Sequence, residues 1–186
     1  MRVFLFACLG LALAACDPRA ADESAGCALS ATQTIAFSTE GETDVIEARA
    51  EGPSCAQAVV TLSLRTAAGD PLWVFAGTYY DMAYGGVPPE GAAPVSREDM
   101  ERFLKSWADV TTAKTGALPA WPEGAASLSA GSNGIAYDTP FDRETYEMLR
   151  ARDLPQLCYA AAVAATQCLI IDPVSRAPTM IVAYGP

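Results

Sequence analysis

AVVTLSLRT (residues 58–66) and LWVFAGTYY (72–80), joined through Gly69-Asp70-Pro71, decide the fold class. In the first piece Val60, Leu62 and Leu64 alternate with Thr61, Ser63 and Arg65, the two-residue period of a strand with one buried face. The intervening Gly, Asp and Pro supply turn chemistry, so the two pieces are predicted to pair as an antiparallel hairpin. Upstream, QTIAFST (33–39) and DVIEARA (44–50) flank the turn-like Glu40-Gly41-Glu42 and read as two more strands. In the second of these Val45, Glu47 and Arg49 alternate with Ile46, Ala48 and Ala50.

Downstream the period changes. SREDMERFLKSWADV (96–110) predicts a helix, with Ser96 as cap, Asp99 three residues on, and Glu98 and Asp99 at the positive end of the dipole. Met100, Phe103, Leu104, Trp107 and Val110 form one apolar stripe, which is read as core and not as a cofactor-binding face. Residues 111–132 are rich in Ala, Gly, Pro and Ser and read as a long loop ending in Gly131-Ser132-Asn133-Gly134. Thr139-Pro140 predicts the start of a second helix that stops before Leu154-Pro155, with Phe141, Thr145, Met148 and Leu149 facing inward.

The C-terminal pieces CLIIDP (168–173) and TMIVAYG (179–185) read as an antiparallel hairpin. CYAAAVAA (158–165) stays open between a strand turning near Val163 and a short helix over 159–165, because no Gly or Asn is present to make a tight turn. Strands, then two helices, then strands predict a single α+β domain over residues 27–186, an antiparallel sheet with the two main helices packed on one face.

The N-terminus carries a different kind of information. After Met1 and Arg2, every residue from Val3 to Leu13 except Gly10 is apolar. Such a run, at about 1.5 Å per helical residue, covers only about half of a hydrocarbon core about 30 Å thick, so a signal peptide over residues 1–15 fits better than a membrane span. Leu13-Ala14-Ala15-Cys16 resembles the lipobox of bacterial lipoproteins. The resemblance covers about the first sixteen residues. It implies that the Cys16 thiol carries a diacylglyceryl group, that the chain is cut before Cys16, and that the new amine is acylated. One acyl chain holds a protein only reversibly, at about 0.8 kcal/mol per buried methylene, whereas two or three on Cys16 anchor it durably. Asp17 resembles the signal that retains enterobacterial lipoproteins in the inner membrane, so that membrane is favoured over the outer one. Residues 16–26 read as the lipidated N-terminus and a polar tether.

The whole chain has 12 Lys plus Arg against 22 Asp plus Glu, no histidine and a net charge of −10. Removal of residues 1–15 takes one base and no acid. An acidic surface repels nucleic acid and anionic headgroups and favours a basic partner. With Cys8 in the signal peptide and Cys16 joined to lipid, Cys27, Cys55, Cys158 and Cys168 remain, an even number that predicts two disulfides in an oxidising compartment. Four cysteines allow three connectivities, of which the sequence-local one, Cys27 to Cys55 and Cys158 to Cys168, is favoured.

Lack of histidine removes His-based acid/base catalysis, Ser-His-Asp and Cys-His nucleophiles, and His-ligated zinc or haem. No phosphate-cradling or nucleophile-elbow glycine motif occurs, neither Lys105 nor Lys114 follows a serine by three, and the acids lack EF-hand spacing. No catalytic residue, metal site or cofactor is therefore assigned. Glu123 beside Trp121, in LPAWPEGA (118–125), is the most suggestive carboxylate because aromatics line sugar sites, although Trp121 reads more readily as a hydrophobic plug for its loop. Asp138 with Asp142, and Tyr80 with Asp81, are weaker pairs. The expectation is a lipid-anchored lipoprotein facing the periplasm, a non-enzymatic binding or accessory module for an envelope protein or cell-wall polymer. The alternatives are a carboxylate-dependent cell-wall hydrolase and an acidic protein like the disulfide-containing lipoproteins that inhibit lysozyme, which this chain matches only in anchor, size and charge.

Overall fold

The computed structural model describes residues 26–38, 41–129 and 134–186. Cys16, the signal peptide and residues 17–25 of the tether lie outside the described residues, as does most of the Gly131–Gly134 turn. The chain is α+β, as its pattern predicts, but its strands divide between two antiparallel sheets. The first is a meander of β1 (Cys27–Ile35), β2 (Asp44–Gly52), β3 (Val59–Arg65) and β4 (Pro71–Thr78). The second has the order β5 (Thr111–Lys114), β7 (Pro155–Ala162), β8 (Ala165–Ile171), β9 (Pro178–Gly185), β6 (Ala136–Asp138). The helices are α1 (Tyr79–Tyr84), α2 (Arg97–Ala108) and α3 (Arg143–Ala151).

The alternation in β3 does what its period requires: Val60, Leu62 and Leu64 are fully buried, and β3 pairs with β4 across the Gly69 turn. On the same face, the middle of β1 and β2 carries small residues (Ala31, Ala48, Ala50) between Leu29 and Ile46, and β4 carries the large aromatic residues Trp73 and Phe75. That gradient in size decides what each half of the sheet can receive. Helix α2 comes close to the alanine half, against β1 and β2. The large half meets the second sheet, with the Trp73 and Phe75 rings 4.6 and 5.5 Å from that of Tyr159 on β7. Helix α2 begins at Ser96 in a full capping box with Asp99, and its stripe of Met100, Leu104 and Trp107 is buried. The Trp107 indole Nε1–H donates to the Ala160 carbonyl of β7 at 2.8 Å, so one side chain joins the helix to both sheets.

A second core lies on the opposite face of the second sheet. Cys158, Ile170 and Val182 pack there against Tyr146 and Leu149 of α3, while Leu157, Tyr159 and Leu169 face the first sheet. The middle of β7 is therefore buried on both faces and shows no alternation, which is why CYAAAVAA is ambiguous as sequence. It is a strand and a turn, not a helix over 159–165: Cys158 sits opposite Cys168, and the chain reverses through Val163 and Ala164 without positive φ. A bulge between Ala160 and Ala162 supplies the extra twist that a glycine turn otherwise gives. Gly185 of β9 completes the arrangement, since a Cβ there would run into the Ala164 carbonyl.

Other expectations are corrected locally. The first strand is Cys27–Ile35, upstream of QTIAFST, because its hydrogen-bonding partners on β2 run from Gly52 back to Asp44. Tyr79 and Tyr80 leave the strand for α1, which Thr78 and Asp81 start with a reciprocal capping box. Thr111 to Lys114 is an edge strand on β7 and not loop. The second main helix starts at Asp142, whose carboxylate accepts the Thr145 N–H at 2.8 Å. Thr139 does not cap it, because its hydroxyl donates to the Ile181 carbonyl of β9 at 2.6 Å. With the phase set from Asp142, Tyr146 and Leu149 point inward and Met148 outward, at 46% exposure.

Gly52 shows how tightly the end of β2 is held. A Cβ there would lie 2.6 Å from the Ala58 Cα, a backbone atom that cannot step aside. Gly52→Ala is expected to lower stability by about 1–3 kcal/mol in chemical denaturation, the usual cost of overpacking.

Candidate functional site

A cavity of about 730 Å³ opens at the seam between the two sheets. Its walls come from three segments: the exit of β1, the β5–β7 edge, and the turn between β8 and β9. Phe37, Leu154, Pro155 and Ile171 give it an apolar lining, and among the described residues Lys114 and Arg176 are the charged ones that line it.

Each segment is fixed by one polar side chain. Asp44, fully buried at the start of β2, accepts the Phe37 N–H at 3.1 Å, the Ser38 N–H at 2.6 Å and the Ser38 hydroxyl at 2.6 Å. Buried carboxylates require this degree of satisfaction, and the result is a fixed path for residues 36–38. Thr115, also fully buried, directly follows Lys114. Its N–H donates to the Leu154 carbonyl and its hydroxyl accepts the Leu154 N–H, both at 2.9 Å, while the hydroxyl donates to the Leu149 carbonyl at 3.0 Å. Asp172 organises the third segment by accepting the Val174 N–H at 3.0 Å and the Ser175 N–H at 2.6 Å. The Ser175 bond in particular holds its carboxyl below the usual carboxylate range. Arg176 then adopts a left-handed conformation, φ 62°, and its N–H donates to the Asp172 carbonyl at 2.8 Å. A non-glycine residue keeps such a φ only where its surroundings over-determine it.

Trp121 and Glu123, the pair singled out in the sequence, are separated in role. Trp121 is half-buried with both N–H groups committed: its backbone N–H donates to Glu147 Oε1 at 2.6 Å and its indole Nε1–H to the Ala125 carbonyl at 3.1 Å. Its ring meets Tyr146 edge-on at 6.0 Å. The Tyr146 hydroxyl donates to the Pro119 carbonyl at 2.8 Å, and burial pushes its pKa up to about 12, so it stays a neutral donor. Trp121 thus fastens residues 118–125 to α3. Glu123 is exposed on the turn of that loop.

A smaller cavity of about 390 Å³ does bring Trp121 together with Asp138 and Asp142, but Glu123 does not line it. Asp142 is engaged as the α3 cap, and its bond from the Thr145 N–H lowers its pKa, the opposite of what a general acid requires. Tyr80 and Asp81 lie on α1, where Asp81 serves the capping box.

The Glu147 carboxylate is held below its ordinary range first by the Trp121 N–H and then by Arg150, whose Nη1 lies 3.0 Å from Oε2. A lowered folded-state pKa means that its stabilising contribution is complete above the ordinary glutamate range, near pH 4.5, and is lost as pH falls through the lower folded value. Tryptophan fluorescence is expected to report loosening of the 118–125 loop over that acid window, and Glu147→Gln to abolish this acid-dependent step.

All four cysteines among the described residues are paired, Cys27 with Cys55 and Cys158 with Cys168, at Cα separations of 4.8 and 4.0 Å. Among those residues no three His, Cys, Asp or Glu side chains group as metal ligands, and no helix is long and apolar enough to cross a membrane.

The cavity-lining residues Phe37, Lys114, Leu154, Ile171 and Arg176 are not foreshadowed as a group in the sequence. Lys114 stands out there only as one of two lysines, and Arg176 only as part of a turn. No protein family, curated protein or solved structure matches the chain.

Proposed function

We propose that the chain is a lipid-anchored envelope lipoprotein whose α+β domain faces the periplasm and acts as a non-enzymatic binding module. The observation that carries this reading is the pairing of Cys27 with Cys55 and of Cys158 with Cys168, which suits export to an oxidising compartment. The lipobox-like Leu13-Ala14-Ala15-Cys16 supplies the anchor, and Asp17 favours the inner membrane. A pre-formed, partly apolar cavity with a few convergent polar groups is the usual form of a small-ligand site and supports binding as the task. The net charge of −10 favours a basic envelope protein or polymer as the macromolecular partner.

The test is metabolic labelling with an alkyne palmitate analogue in a bacterial host, with mass spectrometry of the mature N-terminus. Label on Cys16, a chain beginning at Cys16, and loss of both in Cys16→Ser are expected. An unlabelled chain, or a mature terminus elsewhere, would overturn the anchor.

A further inference from the structure

The described lining of the 730 Å³ cavity carries charge of the sign opposite to that of the chain. Acids outnumber bases 22 to 12 overall, yet the described lining includes Lys114 and Arg176 and no carboxylate. Neither cation is in an ion pair with a carboxylate of the described residues, a state they share with Arg65, Lys105, Arg143 and Arg152. Beside the two cations lie Phe37, Leu154, Pro155 and Ile171, so charge and apolar surface adjoin. Both cations stand on fixed backbone: Thr115 pins the chain directly after Lys114, and the Asp172 turn holds Arg176 in its left-handed conformation. Pre-organised walls lower the ordering cost of binding.

We propose that this cavity binds a small amphiphilic anion, a carboxylate or phosphate head held between Lys114 and Arg176 with a hydrocarbon body against Phe37, Leu154 and Ile171. The assignment rests on the binding-module reading and names its ligand class. The head supplies the counter-charge that the described lining lacks, through charge-assisted hydrogen bonds to an ammonium and a guanidinium. The body removes apolar surface from water at about 25 cal/mol per Å². A volume near 730 Å³ is within the range of sites that enclose ligands of this size.

The probe is dodecanoate bearing a terminal diazirine, photo-crosslinked to the full chain in vesicles of zwitterionic phospholipid. Adducts are expected on peptides containing Phe37, Leu154 or Ile171, and Lys114→Gln and Arg176→Gln are each expected to weaken labelling about tenfold, the scale of one charge-assisted hydrogen bond. Lys114→Arg, which keeps the charge, is expected to retain it. Unlabelled dodecanoate or dodecyl phosphate competes and dodecanol does not; the better competitor identifies the head as carboxylate or phosphate. Both cations are exposed, and unchanged denaturation midpoints in the variants separate lost binding from lost folding. Equal labelling of the doubly substituted chain, adducts confined to other surfaces, or competition by dodecanol equal to that of the acids would overturn the assignment. Palmitate labelling at Cys16 reports the anchor independently, so the two readings fail separately.

Discussion

Replacing Cys27 and Cys55 together by alanine is expected to lower the unfolding free energy by about 3–4 kcal/mol. The two residues are 28 apart in sequence, and closing a loop of that length removes roughly this much conformational freedom from the unfolded chain. The Cys158–Cys168 bond closes a shorter loop, separation 10, and its double alanine variant is expected to lose about 2.5–3 kcal/mol. The order of the two effects distinguishes an unfolded-state origin from local packing, because both sulfur pairs are well buried at the Cys27 and Cys168 ends. Urea denaturation of oxidised protein measures both; a smaller loss for the longer loop would contradict the chain-entropy account.

Trp107→Ala is expected to cost about 3–5 kcal/mol, as large-to-small changes of buried aromatics do. Trp107 is 5% exposed, stacks on Phe103 at 5.3 Å and meets Phe75 edge-on at 6.1 Å. Its indole N–H is also the partner of the Ala160 carbonyl. Trp107→Phe keeps most of the apolar area and leaves that carbonyl without its donor, so it is expected to lose about 1–2 kcal/mol. Denaturation midpoints of the two variants separate the contribution of the ring from that of the hydrogen bond; equal losses would assign the whole effect to the N–H.

What could be read from the sequence was local. The β3–β4 hairpin follows from a strict two-residue alternation and a Gly-Asp-Pro turn, and α2 from a capping box followed by an unbroken apolar stripe. The sequence-local cysteine pairing is the one found. The division of the strands between two sheets was not legible, because it depends on the large residues Trp73 and Phe75 meeting Tyr159, more than eighty positions along the chain. Strand β7 lost its alternation by being buried on both faces. The sequence pattern starts helix α3 too early because the Thr139 hydroxyl, a residue type that caps helices, bonds instead to the Ile181 carbonyl of a strand that follows much later. The cavity was hidden for the same reason. Its cations are separated by most of the second sheet in sequence, and only folding sets them on one rim.

The staple between Cys27 and Cys55 also bears on how the domain carries tension. Cys27 is the first residue of β1, an edge strand held to the rest of the sheet by β2 alone. A pull on that end would peel β1 away one hydrogen-bonded pair at a time, starting at Cys27 and Gly52, the weakest way to load a sheet. With the covalent link in place, force arriving from upstream of Cys27 passes instead to Cys55, in the connection between β2 and β3. The load then enters the interior of the meander and the edge strand is bypassed.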